Sequence, residues 1–241
     1  MIELKHFSIG YDSRVLLGDV SCTIPGAGLT ALIGRNGSGK STLLRAIAGL
    51  NDRYSGEIIL DGHNLKDLSC TEKARTLAFV TTERIRIAGL RCMDVVAIGR
   101  APYTNWIGHM QDRDRKIVME SLDAVGMADY ATRTMDSMSD GECQRILIAR
   151  ALAQSTPIIL LDEPTSFLDL PNRYELCALL ARLAHDQGKC ILFSTHELEI
   201  ALSMADCIAL VDNPTLIVEP SAAMRLSNRI SQLFHIPTAK E

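Results

Sequence analysis

The chain has 241 residues, 47% hydrophobic and 22% charged, a globular balance that excludes disorder as the main state and suits one large domain or a core with a smaller lobe. Its 25 basic and 29 acidic residues give a formal charge of −4, which argues against a surface built to neutralise nucleic-acid phosphates.

In chain order, Met1 to about Ile33 reads as short strands: Ile2, Leu4, Phe7 and Ile9, then Val15-Leu16-Leu17, then Leu29 to Ile33, with Gly and Asp turns between them. The last strand runs into Gly34-Arg35-Asn36-Gly37-Ser38-Gly39-Lys40-Ser41, and Thr42 to Ala48 follows as an apolar helical pattern ended by Gly49. Ile58-Ile59-Leu60 before Asp61-Gly62 predicts a strand and turn, and Leu77 to Val80 a buried strand. Between about 90 and 150 strand signals vanish, and helical patterns appear near 92–99, 112–125 and 141–154, with an irregular loop from Ala101 to Gly108. Then α/β alternation returns: strand Ile158 to Leu161, helix about 172–187, strand Cys190 to Ser194, helix about 197–204, strand Cys207 to Val211. Strands apolar throughout that alternate with helices predict a parallel sheet covered on both faces. About Leu216 to Glu241 matches no pattern beyond a helix over Arg225 to Phe234, closing the fold or covering a dimer contact.

Every apolar stretch is broken by charge before the ~18 residues a spanning helix needs; even Leu198 to Val211 contains Glu199 and Asp206. The opening Met1-Ile2-Glu3-Leu4-Lys5 lacks the basic cap and apolar core of a secretion signal, so the chain is expected to stay in the cytosol. Seven scattered cysteines without Cys-x-x-Cys spacing read as buried free thiols in a reducing compartment.

Gly34 to Ser41 fits the phosphate-loop pattern G-x-x-x-x-G-K-[ST], in the strand-to-helix setting the chemistry requires. Glycines let backbone N–H groups converge on phosphates and the helix N-terminus adds its positive end. Lys40 reaches the β and γ oxygens, and Ser41 can ligate Mg²⁺. Gly34, Asn36, Gly37, Ser38, Gly39, Lys40, Ser41 and Thr42 are the candidate phosphate contacts. The buried strand Ile158 to Leu161 delivers Asp162 and Glu163 to the edge of the sheet, where open α/β folds bind ligands. Adjacent residues point different ways, so one acid can hold a metal, usually through water, while the other faces the attacking water as base or polariser.

With these motifs in place, the sequence resembles the nucleotide-binding subunits of ABC transporters, from Tyr11 to about Val211. The most specific element is Met138-Ser139-Asp140-Gly141-Glu142-Cys143-Gln144-Arg145, similar to the family signature L-S-G-G-Q-x-Q-R; read alone, it is a helix N-terminus capped by Ser139 or Asp140. The resemblance implies an α/β phosphate-loop NTPase core with an N-terminal antiparallel β subdomain and an inserted helical subdomain. It divides one domain, 1–241, into 1–90 (β subdomain and phosphate loop), 91–150 (helical subdomain with the signature) and 151–241 (remaining core and C-terminal segment).

The resemblance further implies ATP and Mg²⁺ as cofactors, with Tyr11 stacking on adenine, Ser41 and Asp162 on the metal, and Glu163 and His196 catalytic. Ser139, Gly141 and Glu142 would serve ATP held by the other subunit, Glu142 facing either the interface or solvent, and Asp169 would lie at the subunit contact. Two positions depart from the family: Thr82 stands where a glutamine usually contacts the metal, with Glu83 as the candidate replacement ligand, and Asp140 and Glu142 replace a glycine and a glutamine of the signature.

Val95 to Tyr103, with Trp106 and Gly108, is similar to the helical segment of importers for iron chelates, haem and cobalamin. This implies an ATP-hydrolysing homodimer, peripheral on the cytoplasmic face of the inner (plasma) membrane, partnered by a multi-spanning permease and indirectly by an external binding protein. The competing readings are an ABC transporter for another substrate, a soluble ABC ATPase, a phosphate-loop kinase, which leaves Ser139 to Arg145 and His196 unexplained, and a non-catalytic nucleotide-binding module, which conflicts with Lys40, Asp162, Glu163 and His196.

Overall fold

The computed structural model describes residues 1–11, 14–83, 89–104 and 110–234; Trp106 and Gly108 lie outside them. The chain opens with β1 (Ile2–Tyr11), β2 (Arg14–Ile24) and β3 (Gly28–Gly34), followed by α1 (Lys40–Ile47), β4 (Tyr54–Leu60), β5 (His63–Asn64), α2 (Cys70–Thr76) and β6 (Leu77–Val80). Then come α3 (Cys92–Ala97), α4 (Asp112–Ala124), α5 (Asp140–Ala153), β7 (Ile158–Leu161), α6 (Leu170–Asp186) and β8 (Cys190–Ser194). The chain continues through α7 (Leu198–Met204), β9 (Cys207–Asp212), β10 (Thr215–Pro220), α8 (Ser221–Leu226) and α9 (Arg229–Phe234).

The strands form two sheets, in the orders β2-β1-β4-β5 and β10-β9-β3-β8-β7-β6. The first is antiparallel, and Ile2, Leu4, Phe7 and Ile9 of β1 turn one face inward. The second is parallel from β9 through β3, β8 and β7 to β6, with β10 added antiparallel at the β9 edge. Because side chains alternate along a strand, this sheet feeds two cores. Ile33, Ile159, Leu161, Ile191 and Phe193 pack with α3 to α6 on one side, while Leu32, Ile158, Leu160 and Leu192 pack with α1 and the antiparallel sheet on the other. The α/β architecture is the expected one.

The segment after β6 is helical, as its sequence predicts. Arg100, in the 3-10 turn that follows α3, makes a buried ion pair with Asp114 of α4 at 2.9 Å, and its Nη1 donates to the Ala153 carbonyl at 2.7 Å. The Tyr103 ring lies 4.1 Å from the Arg100 guanidinium, within cation–π range. This clasp ties α4 to the C-terminal end of α5.

Two expectations need correction. The single helix over Arg225 to Phe234 is instead two short helices, α8 and α9, broken at Ser227 and Asn228, where the Ser227 hydroxyl donates to the Met224 carbonyl at 2.8 Å. Before them, the unread stretch after Val211 contains β10, which buries Leu216 and extends the parallel sheet. No disulfide joins any of the seven cysteines; four are buried and Cys22 and Cys207 partly so, but Cys70 is exposed, against the expectation of buried thiols. Among the described residues, no helix is long and apolar enough to cross a membrane.

Candidate active site

The turn from β3 into α1 needs glycine for two separate reasons. A Cβ on Gly34 would sit 2.8 Å from Ser38 Oγ and 2.9 Å from the Val211 carbonyl oxygen, so the loop starts where no side chain fits. Gly39, which precedes α1, has φ 101°, a conformation other residues adopt only at a cost. Inside the turn Ser38 is buried, and its carbonyl accepts from Asn213 Nδ2 at 2.9 Å. Lys40 is only 6% exposed, and its ammonium donates to the carbonyls of Gly34 at 3.0 Å and Arg35 at 3.3 Å. Burial pulls the Lys40 pKa below the usual lysine value, against the opposing pull of the Glu163 and Asp162 charges.

Across the sheet, β7 ends in Asp162 and Glu163. Asp162 is 5% exposed and its Oδ1 accepts two hydroxyl protons, from Ser41 at 2.9 Å and from Ser194 at 2.7 Å. Glu163 takes a left-handed backbone, φ 46°, which turns its carboxylate away from that of Asp162. Ser166 Oγ donates to Glu163 Oε2 at 3.0 Å, and His196 Nδ1 lies 3.9 Å from the same oxygen. The acids therefore diverge as expected, one joined to the start of α1 and the other beside His196.

A cleft of about 660 Å³ opens above these groups. It is lined by the expected Tyr11, Asn36, Gly37, Gly39, Lys40, Ser41, Thr42, Glu163 and His196, together with Arg14 and Leu16. Tyr11 is 50% exposed, and its hydroxyl is 3.1 Å from Thr42 Oγ1, so the ring is held over the first turn of α1. Gly34, Ser38 and Asp162 are buried and do not line the cleft.

Four predicted residues stand apart. Ser139 caps α5: its hydroxyl accepts from the Glu142 N–H at 3.3 Å, while Glu142 Oε2 accepts from the Ser139 N–H at 2.8 Å, a reciprocal capping box. The Glu142 carboxylate is thus folded back onto its own helix end, and the Ser139 N–H bond is the foremost cause of its lowered pKa. An added Cβ on Gly141 would lie 3.6 Å from Leu168 Cδ2. Asp169 in turn caps α6 by accepting from the Asn172 N–H at 3.2 Å. Ser139, Gly141, Glu142 and Asp169 therefore share one side of the molecule, where Arg145 of α5 pairs with Glu175 of α6 at 2.9 Å. Glu83 is exposed and does not line the cleft. Its neighbour Thr82 donates its hydroxyl to the Asp162 carbonyl at 2.9 Å, which commits that side chain to the sheet edge.

Besides Leu16, the sequence reading missed three polar residues that touch the site. Arg14 lines the cleft and donates to the Gly37 carbonyl at 3.1 Å. Ser166 holds Glu163, and Ser194 holds both acids. The usable signal for Ser194 was a hydroxyl closing the apolar strand Cys190 to Phe193, on the same sheet edge as the acid pair.

A glycine loop wrapped on a helix N-terminus, facing an acid pair across a parallel sheet, defines a nucleoside-triphosphate-binding ATPase. The chain belongs to the ABC transporter family, whose profile matches residues 17–166, and it is an ATP-binding, ATP-hydrolysing cassette. It is 41% identical over 217 residues to an uncharacterised ABC transporter ATP-binding protein of Methanocaldococcus jannaschii, covering 90% of this chain and 75% of the relative. It is 35% identical over 236 residues to an iron(3+)-hydroxamate import ATP-binding protein of Bacillus subtilis, covering 98% and 88%. A metal-chelate type ABC transporter in an inward-facing conformation is similar with TM-score 0.85 at 28% identity, over 98% of this chain and 89% of that one. A dimeric ATP-binding cassette bound to ADP and Pi, in a post-hydrolysis state, is similar with TM-score 0.77 at 27% identity, over 92% and 99%.

Proposed function

We propose that the chain is the ATPase subunit of an importer for an iron-chelate, haem or cobalamin-type ligand. It works as a head-to-tail homodimer on the cytoplasmic face of the membrane, under a multi-spanning permease supplied by an external binding protein. The observation that carries this reading is the division of the site: phosphate loop, Glu163 and His196 line one cleft, whereas Ser139, Gly141 and Asp169 lie outside its lining, with Gly141 beside Leu168. Two chains packed head to tail bring these residues of each to the partner's cleft. The ligand class rests on the relatives, whose names include iron(3+)-hydroxamate, achromobactin and petrobactin transport.

In this assignment Tyr11 stacks on adenine, Lys40 exchanges its two carbonyl partners for β and γ oxygens, and the N–H groups of the loop and of α1 receive the phosphates. Glu163, held by Ser166, takes a proton from water as the water oxygen bonds to the γ-phosphorus and the bond to the bridging oxygen of ADP breaks. His196 orients the water and donates to the γ-phosphate. Ser41 and Asp162 offer an all-oxygen donor pair 2.9 Å apart, which suits Mg²⁺ that keeps waters and nucleotide oxygens as its other ligands. Among the described residues no group of three or more His, Cys, Asp or Glu could hold a metal, in keeping with an ion that arrives with the nucleotide. Bound there, Mg²⁺ would neutralise charge on the transferred phosphoryl group.

With Thr82 committed to the Asp162 carbonyl, Glu83 supplies the metal-side contact by turning inward. Glu83→Ala then raises the Mg²⁺ concentration for half-maximal hydrolysis more than Thr82→Ala does, and identical titrations for both variants remove that role. The test of the whole assignment is uptake into vesicles carrying the chain and its cognate permease, with a ferric hydroxamate, haem and cobalamin as separate arms. ATP-driven uptake of one of them is expected. Failure of all three, with no multi-spanning protein co-purifying, turns the reading to a soluble ATPase.

A further inference from the structure

Ser194 closes β8, which lies between β3 and β7 in the middle of the parallel sheet. It is 0% exposed, and a buried hydroxyl keeps its place only if it is hydrogen-bonded. Here both capacities of the group go to the acid pair. The hydroxyl proton goes to Asp162 Oδ1 at 2.7 Å, and the oxygen accepts the Glu163 N–H at 2.8 Å. The register explains the meeting, since Leu161 pairs with Phe193 and the next residue on each strand is Asp162 and Ser194.

Two further details give this contact leverage. The Asp162 oxygen that receives Ser194 also receives Ser41, so the carboxylate is fixed between donors from α1 and β8 and cannot rotate without breaking one of them. Glu163 has the left-handed φ of 46°, and the bond from its N–H to Ser194 Oγ anchors the residue at that bend, sending its side chain toward His196.

We propose that Ser194 is a positioning residue for the acid pair, one buried hydroxyl that sets Asp162 for the divalent cation and Glu163 for water. The proposal rests on the assignment of Asp162 and Glu163 made above. It separates metal use from nucleotide grip, because the side-chain hydrogen bonds of Ser194 go to Asp162 and Glu163 rather than to Lys40, Tyr11 or the loop glycines.

The test uses the full chain and three variants. Ser194→Ala removes the hydroxyl, Ser194→Cys nearly keeps its volume but hydrogen-bonds weakly, and Ser194→Thr keeps the hydroxyl. Three quantities are measured: the Mg²⁺ dependence of ATP hydrolysis, Mn²⁺ binding with ADP by electron paramagnetic resonance, and ATP affinity in the presence of a chelator. Supporting contacts of this kind typically change metal affinity or activity by ~10–100-fold, so Ser194→Ala and Ser194→Cys are expected to lower kcat and weaken Mn²⁺ binding on that scale. Metal-free ATP affinity is expected to stay near that of the parent, and Ser194→Thr to recover both losses. A purely packing role predicts that Ser194→Cys behaves as the parent in Mn²⁺ binding and Mg²⁺ requirement, and that result overturns the proposal. Asp162→Asn run in parallel tells the two levels apart: if it changes neither metal binding nor hydrolysis, the assignment of the site fails rather than the role of Ser194.

Discussion

The cleft and the N-terminal end of α5 hold their polar groups in opposite ways. At the cleft, Ser41, Asp162, Glu163 and Ser194 come from α1, the end of β7 and β8, and each is bonded to a residue at least 31 positions away in the chain. At the end of α5, Ser139 and Glu142 bond each other across three positions, and only Tyr130 and Arg133, from the segment just before the helix, add to the hold on the carboxylate. The first region is a network that only the finished fold assembles. The second is held by near neighbours in the chain and, in the proposed function, is half of a site, since it needs a second chain to have anything to bind.

The widest gap between the regions should open with Glu163→Gln. Losing a general base removes ~10²–10⁴ in rate, so turnover collapses while ATP still binds and an ATP-held dimer accumulates on size exclusion; near-parental turnover breaks the assignment of the cleft. Next in size is complementation in trans. Lys40→Ala and Ser139→Arg chains should each be poor ATPases alone, and their mixed dimer regains one intact composite site. If mixed dimers form without gaining activity, the N-terminal end of α5 is not a half-site.

The smallest effect concerns the cap itself. Ser139→Ala should cost about 1 kcal/mol of stability, the usual price of losing such a cap, read from denaturant midpoints. The Glu142 part of the box has a pH signature. Its folded pKa lies below the ordinary glutamate value, so its contribution is present above roughly pH 4.5 and is lost as pH falls through the lower folded value. The difference between the parent and Glu142→Gln should shrink over that acid range, and a constant difference down to pH 3 would show that the box bond carries no charge.

How much of this was legible in the sequence follows from the same division. Strands β7 and β8 match the runs Ile158 to Leu161 and Cys190 to Ser194 because both faces of each are buried, which forces uninterrupted apolar sequence. The glycine loop was legible because its chemistry constrains consecutive residues. Helix α2 was not, since none of its residues is buried and so no apolar period exists; its one local mark was Ser69 with Glu72, a capping box at the start of a polar helix. Strand β10 was hidden for a related reason, as an edge strand with only Leu216 buried. Ser194 was read as the end of a strand, but its role depends on the β7–β8 register and on the bend at Glu163, neither of which is written in local sequence.

The bond between the Tyr11 hydroxyl and Thr42 has a consequence for nucleobase choice. In the proposed assignment it fixes an aromatic platform to the same helix whose start would receive the phosphates, so ring and phosphate grip would move as one body. A platform of this kind recognises the flat face of a base and ignores the hydrogen-bonding pattern on its edge, because every base has a π-face. Adenine and guanine are then nearly equivalent guests, and GTP should compete with ATP at comparable concentrations. The preference for ATP in the cell would follow from which triphosphate is abundant there rather than from discrimination by the cleft, and strong rejection of GTP in a competition assay would require an edge contact that this tyrosine does not supply.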